Sequence, residues 1–179
     1  AIGVDLDPLA VLLAGVWTRT VAPESVTEKA VEVLARAKGA ARTLSPGSAY
    51  PAGSDDETRK FIRYWFDDYA RGQLAALSCA ISRVRDQATR DVLWCGFSRL
   101  IITKSAGASL AMDLSHSRPH KRFTTAPVKP FNRFIAAVDA VVCNCPQSGG
   151  EPVGPMAVVK QGDARKLDIQ AASIDLVLT

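Results

Sequence analysis

Features that would assign this chain to several common protein classes are scarce or absent. The longest apolar run, residues 9–17, holds only nine residues, whereas a membrane-spanning helix needs roughly 20. The four cysteines lack the spacing of a disulfide framework, so reduced thiols are expected. No signal peptide is visible. These absences favour a soluble, cytoplasmic protein without a membrane partner.

What is present is the composition of an ordinary globular protein. The chain has 179 residues, of which 47% are apolar and 22% charged, and this length is enough to bury a core. The net charge of +4 permits an acidic partner such as DNA but does not require one.

Short apolar runs near both ends of the chain predict β-strands, at residues 1–4, 158–159 and 176–178. The runs are continuous rather than alternating, which is typical of a parallel sheet covered on both faces. Helical spacing dominates between them. The first predicted helix is residues 8–18, with Asp7 as its cap and Pro8 at its first position. A second is opened by a capping box of Ser25 and Glu28, and the others are 55–70, 73–84, 87–104 and 131–142.

This order predicts an α/β fold in which the strand-bearing ends, residues 1–20 and 155–179, form one core. A helical insertion, residues 21–154, interrupts that core.

Two acidic residues follow predicted strands. Ligands bind at the carboxyl ends of strands in doubly wound sheets, where an acid such as Asp5 accepts hydrogen bonds from ribose hydroxyls. Gly162 allows a tight turn after the next strand, and Asp163 is then an acceptor for an adenine amino group. By spacing alone, an ordinary turn carboxylate is the favoured interpretation of each. Asp175 begins the last strand at its far end and is interpreted as structural.

The segments AIGVDLDPLA, QGDARKL and IDLVLT together resemble the S-adenosylmethionine-dependent methyltransferases that modify exocyclic amino groups in DNA. The interior phrase WCGFSRLIITKSAGASLAMDLSHSRPHK is similar to a stretch in a subgroup of bacterial site-specific DNA methyltransferases. The resemblance implies a Rossmann-like core that binds S-adenosylmethionine. It also implies that Asp5 holds the cofactor ribose and that Asp163 and Ala164 lie beside its adenine.

The chain also departs from that family. It has neither the Gly-rich cofactor loop nor the Pro-Pro-Tyr catalytic loop, so no catalytic residue is assigned. We therefore expect an internal fragment that is inactive by itself. The strands resemble the family's second, third and fourth, of which the second and third can pair directly. The fourth would face a gap where the first strand belongs, because that strand lies mid-sheet.

The resemblance makes the helical insertion a candidate target-recognition region. Its basic loop, residues 115–123, contains Arg118, Lys121 and Arg122, which are candidate contacts to DNA phosphates and guanine edges. A solvated basic loop is an equally good interpretation. Ser115, His116 and Ser117 are candidates to line the mouth of the active site.

Two further patterns have simpler explanations. His116 and His120 with Cys143 and Cys145 suggest a zinc site, but Pro119 opposes a helix that presents both histidines, and no metal is predicted. Basic residues flank the aromatic residues of 59–71, a mixture that can stack on unpaired bases. The spacing of Phe61, Ile62, Trp65, Phe66 and Tyr69 favours a core-facing stripe instead.

The sequence thus predicts part of a DNA methyltransferase that acts on adenine or cytosine, with S-adenosylmethionine as cofactor and DNA as partner. Two alternatives remain open: a non-catalytic helical DNA-binding or interaction module, and a fragment of an RNA methyltransferase.

Overall fold

The computed structural model describes residues 1–101, 106–111, 120–146, 157–170 and 172–178. The described structure is rich in α-helix, with 55% of its residues helical, and it carries a parallel sheet of two strands. In chain order, its elements are β1 (Ile2–Asp5), α1 (Pro8–Trp17), α2 (Pro23–Ala41), a 3-10 turn (Pro46–Ser48), α3 (Asp56–Trp65), α4 (Asp68–Ser82), α5 (Gln87–Ile101), α6 (Pro130–Val142) and β2 (Val158–Gln161). No helix in these ranges is long and apolar enough to cross a membrane.

Aspartates cap four of the helices. The Asp7 carboxylate accepts the Leu9 amide at 2.8 Å, as the sequence predicted for α1. The capping box predicted for α2 is wrong, because this helix begins at Pro23 and Ser25 lies inside its first turn. Proline at the first helical position has a fixed φ that suits helix entry, so the helix starts earlier than the serine indicated.

The single helix predicted over residues 55–70 is in fact two helices. Phe66 is extended, with φ −132° and ψ 132°, and ends α3. Asp67 then caps α4 by accepting the Ala70 amide at 2.7 Å. A second oxygen of Asp67 accepts the Ala126 amide at 2.6 Å, so the same carboxylate fixes a distant loop beside the break.

The hydrophobic core lies among α2, α4, α5 and α6. Phe134, Leu77 and Leu93 are completely buried there. The helices α5 and α6 approach closely at Gly96, where an added Cβ would come within 2.7 Å of Val138 Cγ2. The other core side chains are mainly small, which suits close helix packing: Val26, Ala30, Val33, Ala37, Ala70, Ala76, Ala80, Val92, Val138 and Val141.

The sheet is small and largely uncovered. β1 and β2 pair in parallel from Ile2 opposite Val158 to Asp5 opposite Gln161. The parallel pairing agrees with an α/β fold. The expectation of a sheet covered on both faces does not hold in the described residues, because Ile2 is 50% and Val158 46% exposed. α1 contacts both strands and α5, and so joins the sheet to the helical core.

The third predicted strand is not formed. Residues 176–178 have no strand structure, and Leu176 and Leu178 are 74% and 86% exposed. A strand needs a neighbour to satisfy its backbone N–H and C=O groups, and no such neighbour lies beside this segment within the described residues. The described sheet therefore has two strands, fewer than a Rossmann-like core would contain.

Candidate cofactor edge and nucleic-acid surface

The two strands end side by side. Asp5 lies directly opposite Gln161, and the Gly162 amide donates to the Asp5 carbonyl at 2.9 Å. The Gln161 side-chain amide donates to the Leu6 carbonyl at 3.1 Å. These bonds bring Asp5 and the Gly162–Ala164 turn to one edge of the sheet, which we call the strand-end edge.

Asp5 participates in a turn but retains a free oxygen. Its Oδ1 accepts the Asp7 amide at 2.8 Å. The side chain is exposed, and Oδ2 accepts no hydrogen bond among the described residues. The simple interpretation of Asp5 as a turn carboxylate is therefore correct. It is also compatible with ligand binding, because one carboxylate oxygen can support the turn while the other accepts an external donor.

Asp163 is held by its own neighbour. Arg165 Nε lies 3.0 Å from each carboxylate oxygen, Arg165 Nη2 lies 2.6 Å from Oδ2, and the Arg165 amide donates to Oδ1 at 2.9 Å. The side-chain hydrogen bond from Arg165 lowers the pKa of Asp163 and keeps it ionised. The Arg165 side chain is 85% exposed, so a ligand can displace it at little cost. Ala164 is also exposed.

The turn after β2 requires a small residue. A Cβ added to Gly162 would lie 3.0 Å from Val4 Cγ1 on the adjacent strand. Glycine therefore allows the backbone after β2 to pass close to β1 before it turns toward Asp163, and this keeps the two acids on neighbouring segments.

The described end of the predicted basic loop, residues 120–123, lies beside α3. Arg118, Ser115, His116 and Ser117 lie outside the described residues. Lys121 forms an isolated antiparallel bridge with Ala111. The next amide, of Arg122, donates to the Leu110 carbonyl at 2.9 Å, and the Leu110 amide in turn donates to the Trp65 carbonyl at 2.8 Å.

These backbone bonds bring a cation onto an aromatic ring. Lys121 Nζ lies 4.1 Å from the centroid of the Tyr64 ring on α3, within the range of a cation–π interaction. Lys121 and Arg122 are both exposed. In the same way, Lys129 Nζ lies 5.7 Å from the centroid of Tyr69 on α4.

The core-facing stripe that the sequence favoured is formed only in part, because Phe66 packs against the core but Tyr69 on α4 is 59% exposed. No residue of α3 is buried, and Phe61 and Tyr64 are 62% and 52% exposed. Trp65 is only partly buried, and both rings contact it edge to face, at centroid distances of 6.3 Å from Phe61 and 4.7 Å from Tyr64. The charge of DETRKFIRYW was the signal available in the sequence, because a helix with so many ionised side chains is costly to bury.

On the other side of α3, arginine side chains lie over the Tyr50 ring. The guanidinium carbons of Arg59, Arg63 and Arg71 lie 5.7, 5.9 and 5.0 Å from the centroid of the Tyr50 ring. Arg71 is only 5% exposed and forms an ion pair with Asp68 at 2.9 Å. We call the exposed side of α3 around Phe61, Tyr64 and Lys121 the α3 surface.

Within the described residues, no group of three or more histidine, cysteine or acidic side chains is arranged to hold a metal ion. Cys145 is buried, and burial raises the pKa of its thiol, whereas Cys143 is exposed. Cys145 is therefore part of the hydrophobic core. His120 is exposed, and its predicted partner His116 lies outside the described ranges.

The described site residues that the sequence predicted thus lie in two separate groups. Asp5, Asp163 and Ala164 lie at the strand-end edge, and Lys121 lies at the α3 surface, with Arg122 next to it in the chain. The exposed rings of Phe61 and Tyr64 at the α3 surface were missed by the favoured interpretation of the sequence. Comparisons with protein-family models, curated proteins and solved structures find no match for this chain.

Proposed function

We propose that this chain is part of an S-adenosylmethionine-dependent DNA amino-methyltransferase whose target is the exocyclic amino group of adenine or cytosine. The observation that carries the proposal is the parallel pairing of β1 with β2. It brings Asp5 and Asp163, which are 158 positions apart in the sequence, to the same edge of one sheet.

That edge fits the ribose and adenine of the cofactor. Asp5 Oδ2 is exposed and accepts no described hydrogen bond, as a ribose-binding carboxylate requires. Asp163 is ionised and therefore an acceptor, which suits an adenine amino group once Arg165 swings away. Gly162 lets the backbone between β2 and Asp163 pass close to Val4 of β1. When bound, S-adenosylmethionine supplies the methyl group.

The role of these residues is to bind and orient. Methyl transfer to an amino nitrogen depends on alignment more than on a strong base, so acids that anchor the ribose and adenine contribute by positioning. The α3 surface supports DNA as the partner, because it combines cations with exposed rings inside the predicted recognition region.

The experiment is calorimetric titration of S-adenosylmethionine into the longest natural protein that contains these 179 residues, with and without Asp5→Asn. A charge-assisted hydrogen bond contributes about 1.5–3 kcal/mol, so the substitution should weaken binding about 10- to 150-fold. Asp168→Asn is the matched control, since it removes an exposed carboxylate five residues after Asp163 and outside both strands. Unchanged affinity in Asp5→Asn would contradict the ribose assignment.

A second candidate function is a helical nucleic-acid-binding module without methyl transfer. The exposed rings of Phe61 and Tyr64, with Lys121 over Tyr64, favour this module, because a nucleic-acid strand can bind to them without a cofactor. A wild-type protein that binds DNA but shows no heat of binding with S-adenosylmethionine would favour this module. Methyl transfer to RNA rather than DNA would instead identify the RNA methyltransferase.

A further inference from the structure

We propose that the α3 surface is a stacking platform for unpaired bases of a DNA strand, with the Phe61 ring as the stacking face and Lys121 as a phosphate contact. This deepens the proposed function and rests on it for the choice of DNA. The assignment of the two residues follows from exposure, ring geometry and charge.

The rings are exposed and yet held in place. Phe61 and Tyr64 are three residues apart, so they share one side of the helix. Both make edge-to-face contacts with the partly buried Trp65, which restrains their rotation. A ring that is fixed before binding loses little entropy when a base stacks on it.

The two rings have different assignments. Lys121 Nζ already lies over the Tyr64 ring, 4.1 Å from the ring centroid. No cation lies over the Phe61 ring among the described residues, and the ring is 62% exposed. Phe61 is therefore the ring whose face is open to a base. Lys121 is positioned above the neighbouring ring, where its charge is available to the phosphate of the same strand.

Charge complementarity favours a nucleic acid as the occupant. Lys60, Lys121 and Arg122 make no ion pair with a carboxylate within the described residues. Of the acidic residues of this helix, Asp56 and Glu57 in its first turn, Glu57 is one turn before Phe61, whereas Tyr64 and its Lys121 lie at the other end. Exposed rings beside unpaired cations are the combination that single-stranded nucleic-acid sites use, because every base offers a π-face and every nucleotide a phosphate.

The stacking assignment is tested by fluorescence anisotropy of the full chain at low salt, with a labelled single-stranded thymidine 12-mer and a duplex of equal length. Phe61→Leu keeps an apolar side chain but removes the ring, and should weaken single-strand binding about 5- to 150-fold. Phe61→Tyr keeps the ring and should bind like wild type. Val31→Ala on α2, where Val31 is 55% exposed, is the control for loss of exposed apolar area and should have no effect.

The phosphate assignment is tested by salt dependence. Removing one phosphate contact to a single strand lowers the slope of log affinity against log salt by about 0.7, so Lys121→Gln should show that decrease. Lys38→Gln, in the last turn of α2, should leave the slope unchanged.

Three results would overturn the inference: no single-strand binding by wild type, equal binding by Phe61→Leu and wild type, or an unchanged salt slope in Lys121→Gln. The calorimetric titration with S-adenosylmethionine is read separately. Oligonucleotide binding without cofactor binding therefore rejects only the methyltransferase, and the reverse result rejects only the stacking platform.

Discussion

The helical core and the strand-bearing ends of this molecule contain similar apolar residues in opposite environments. Phe134 and Leu77 in the helical core are completely buried, whereas Ile2 and Val158 in the sheet are 50% and 46% exposed. Four packed helices cover one another, but the two strands are covered mainly by α1. Apolar character therefore does not determine burial, which also requires an element on the other side.

This difference separates stability from binding. Stability should reside in α2, α4, α5 and α6, where the burial is complete. The strand-end edge and the α3 surface should contribute little to stability, so substitutions there act mainly on ligands. The predictions below test this division, from the core outward.

The largest effect is expected from Phe134→Ala. Truncation of a fully buried phenylalanine removes apolar contacts and leaves a cavity, which costs about 3–5 kcal/mol of the free energy of unfolding. Urea denaturation followed by circular dichroism measures the loss. Ile2→Ala in β1 should change the free energy of unfolding by less than about 1 kcal/mol. Equal losses of the free energy of unfolding in Phe134→Ala and Ile2→Ala would contradict the expected difference in stability between core and sheet.

The next effect concerns the contact between α5 and α6. Gly96→Ala places a methyl group 2.7 Å from Val138 Cγ2, so the helices must separate at a cost of about 1–3 kcal/mol. Gly72→Ala in α4 is the control, because nothing lies within 4 Å of its added Cβ, and it should stabilise the helix by about 0.5–1 kcal/mol. Thermal melts of the pair should therefore shift in opposite directions. A shift in the same direction would refute the close approach.

A smaller effect is expected from the helix caps. Asp67→Ala leaves the Ala70 and Ala126 amides without their acceptor and should cost about 1–2 kcal/mol. Asp7→Ala at α1 removes a cap that is exposed and serves a single amide, and its cost should be lower. Urea midpoints rank the two variants, and a larger loss for Asp7→Ala would reverse the comparison.

The smallest effect belongs to the ion pair at the strand-end edge. Arg165→Ala should raise the pKa of Asp163 toward its ordinary value of 3.8, because the guanidinium hydrogen bond is the main cause of the lowering. A carboxyl group whose pKa is lower in the folded than in the unfolded state stabilises the fold at pH values above its unfolded-state pKa. This stabilisation is lost as the pH falls through the folded-state pKa. Both groups are solvated, so the urea midpoint at pH 7 should stay unchanged. An NMR titration of the Asp163 carboxyl that shows no rise would contradict the assignment.

The sequence predicted most elements that depend on local signals, although the start of α2 was misplaced. α1 begins after its Asp7 cap, α6 follows the helical spacing of residues 131–142, and the two strands pair in parallel. Three predictions failed where distant contacts decide. The break at Phe66 depends on Asp67 and its bond to Ala126, the exposure of Phe61 depends on where α3 docks, and residues 176–178 lack a neighbouring strand among those described.

The candidate sites divide in the same way. The apolar runs before Asp5 and Asp163 predicted that each acid follows a strand, and the two acids lie at one edge because these strands pair in parallel. The contact between Lys121 and Tyr64 was not predictable, since it depends on hydrogen bonds from Arg122 to Leu110 and from Leu110 to Trp65.

Native-state amide hydrogen exchange in the longest natural protein that contains this chain, with and without S-adenosylmethionine, tests the account most directly. We expect the slowest exchange in α5 and α6 and faster exchange in β1 and β2. The cofactor should slow exchange at the Gly162 amide and along β2, and leave the helical core unchanged. Exchange at the strand-end edge that is the same with and without cofactor would contradict the account. Slower exchange at this edge than in the helical core, measured in the absence of cofactor, would also contradict it.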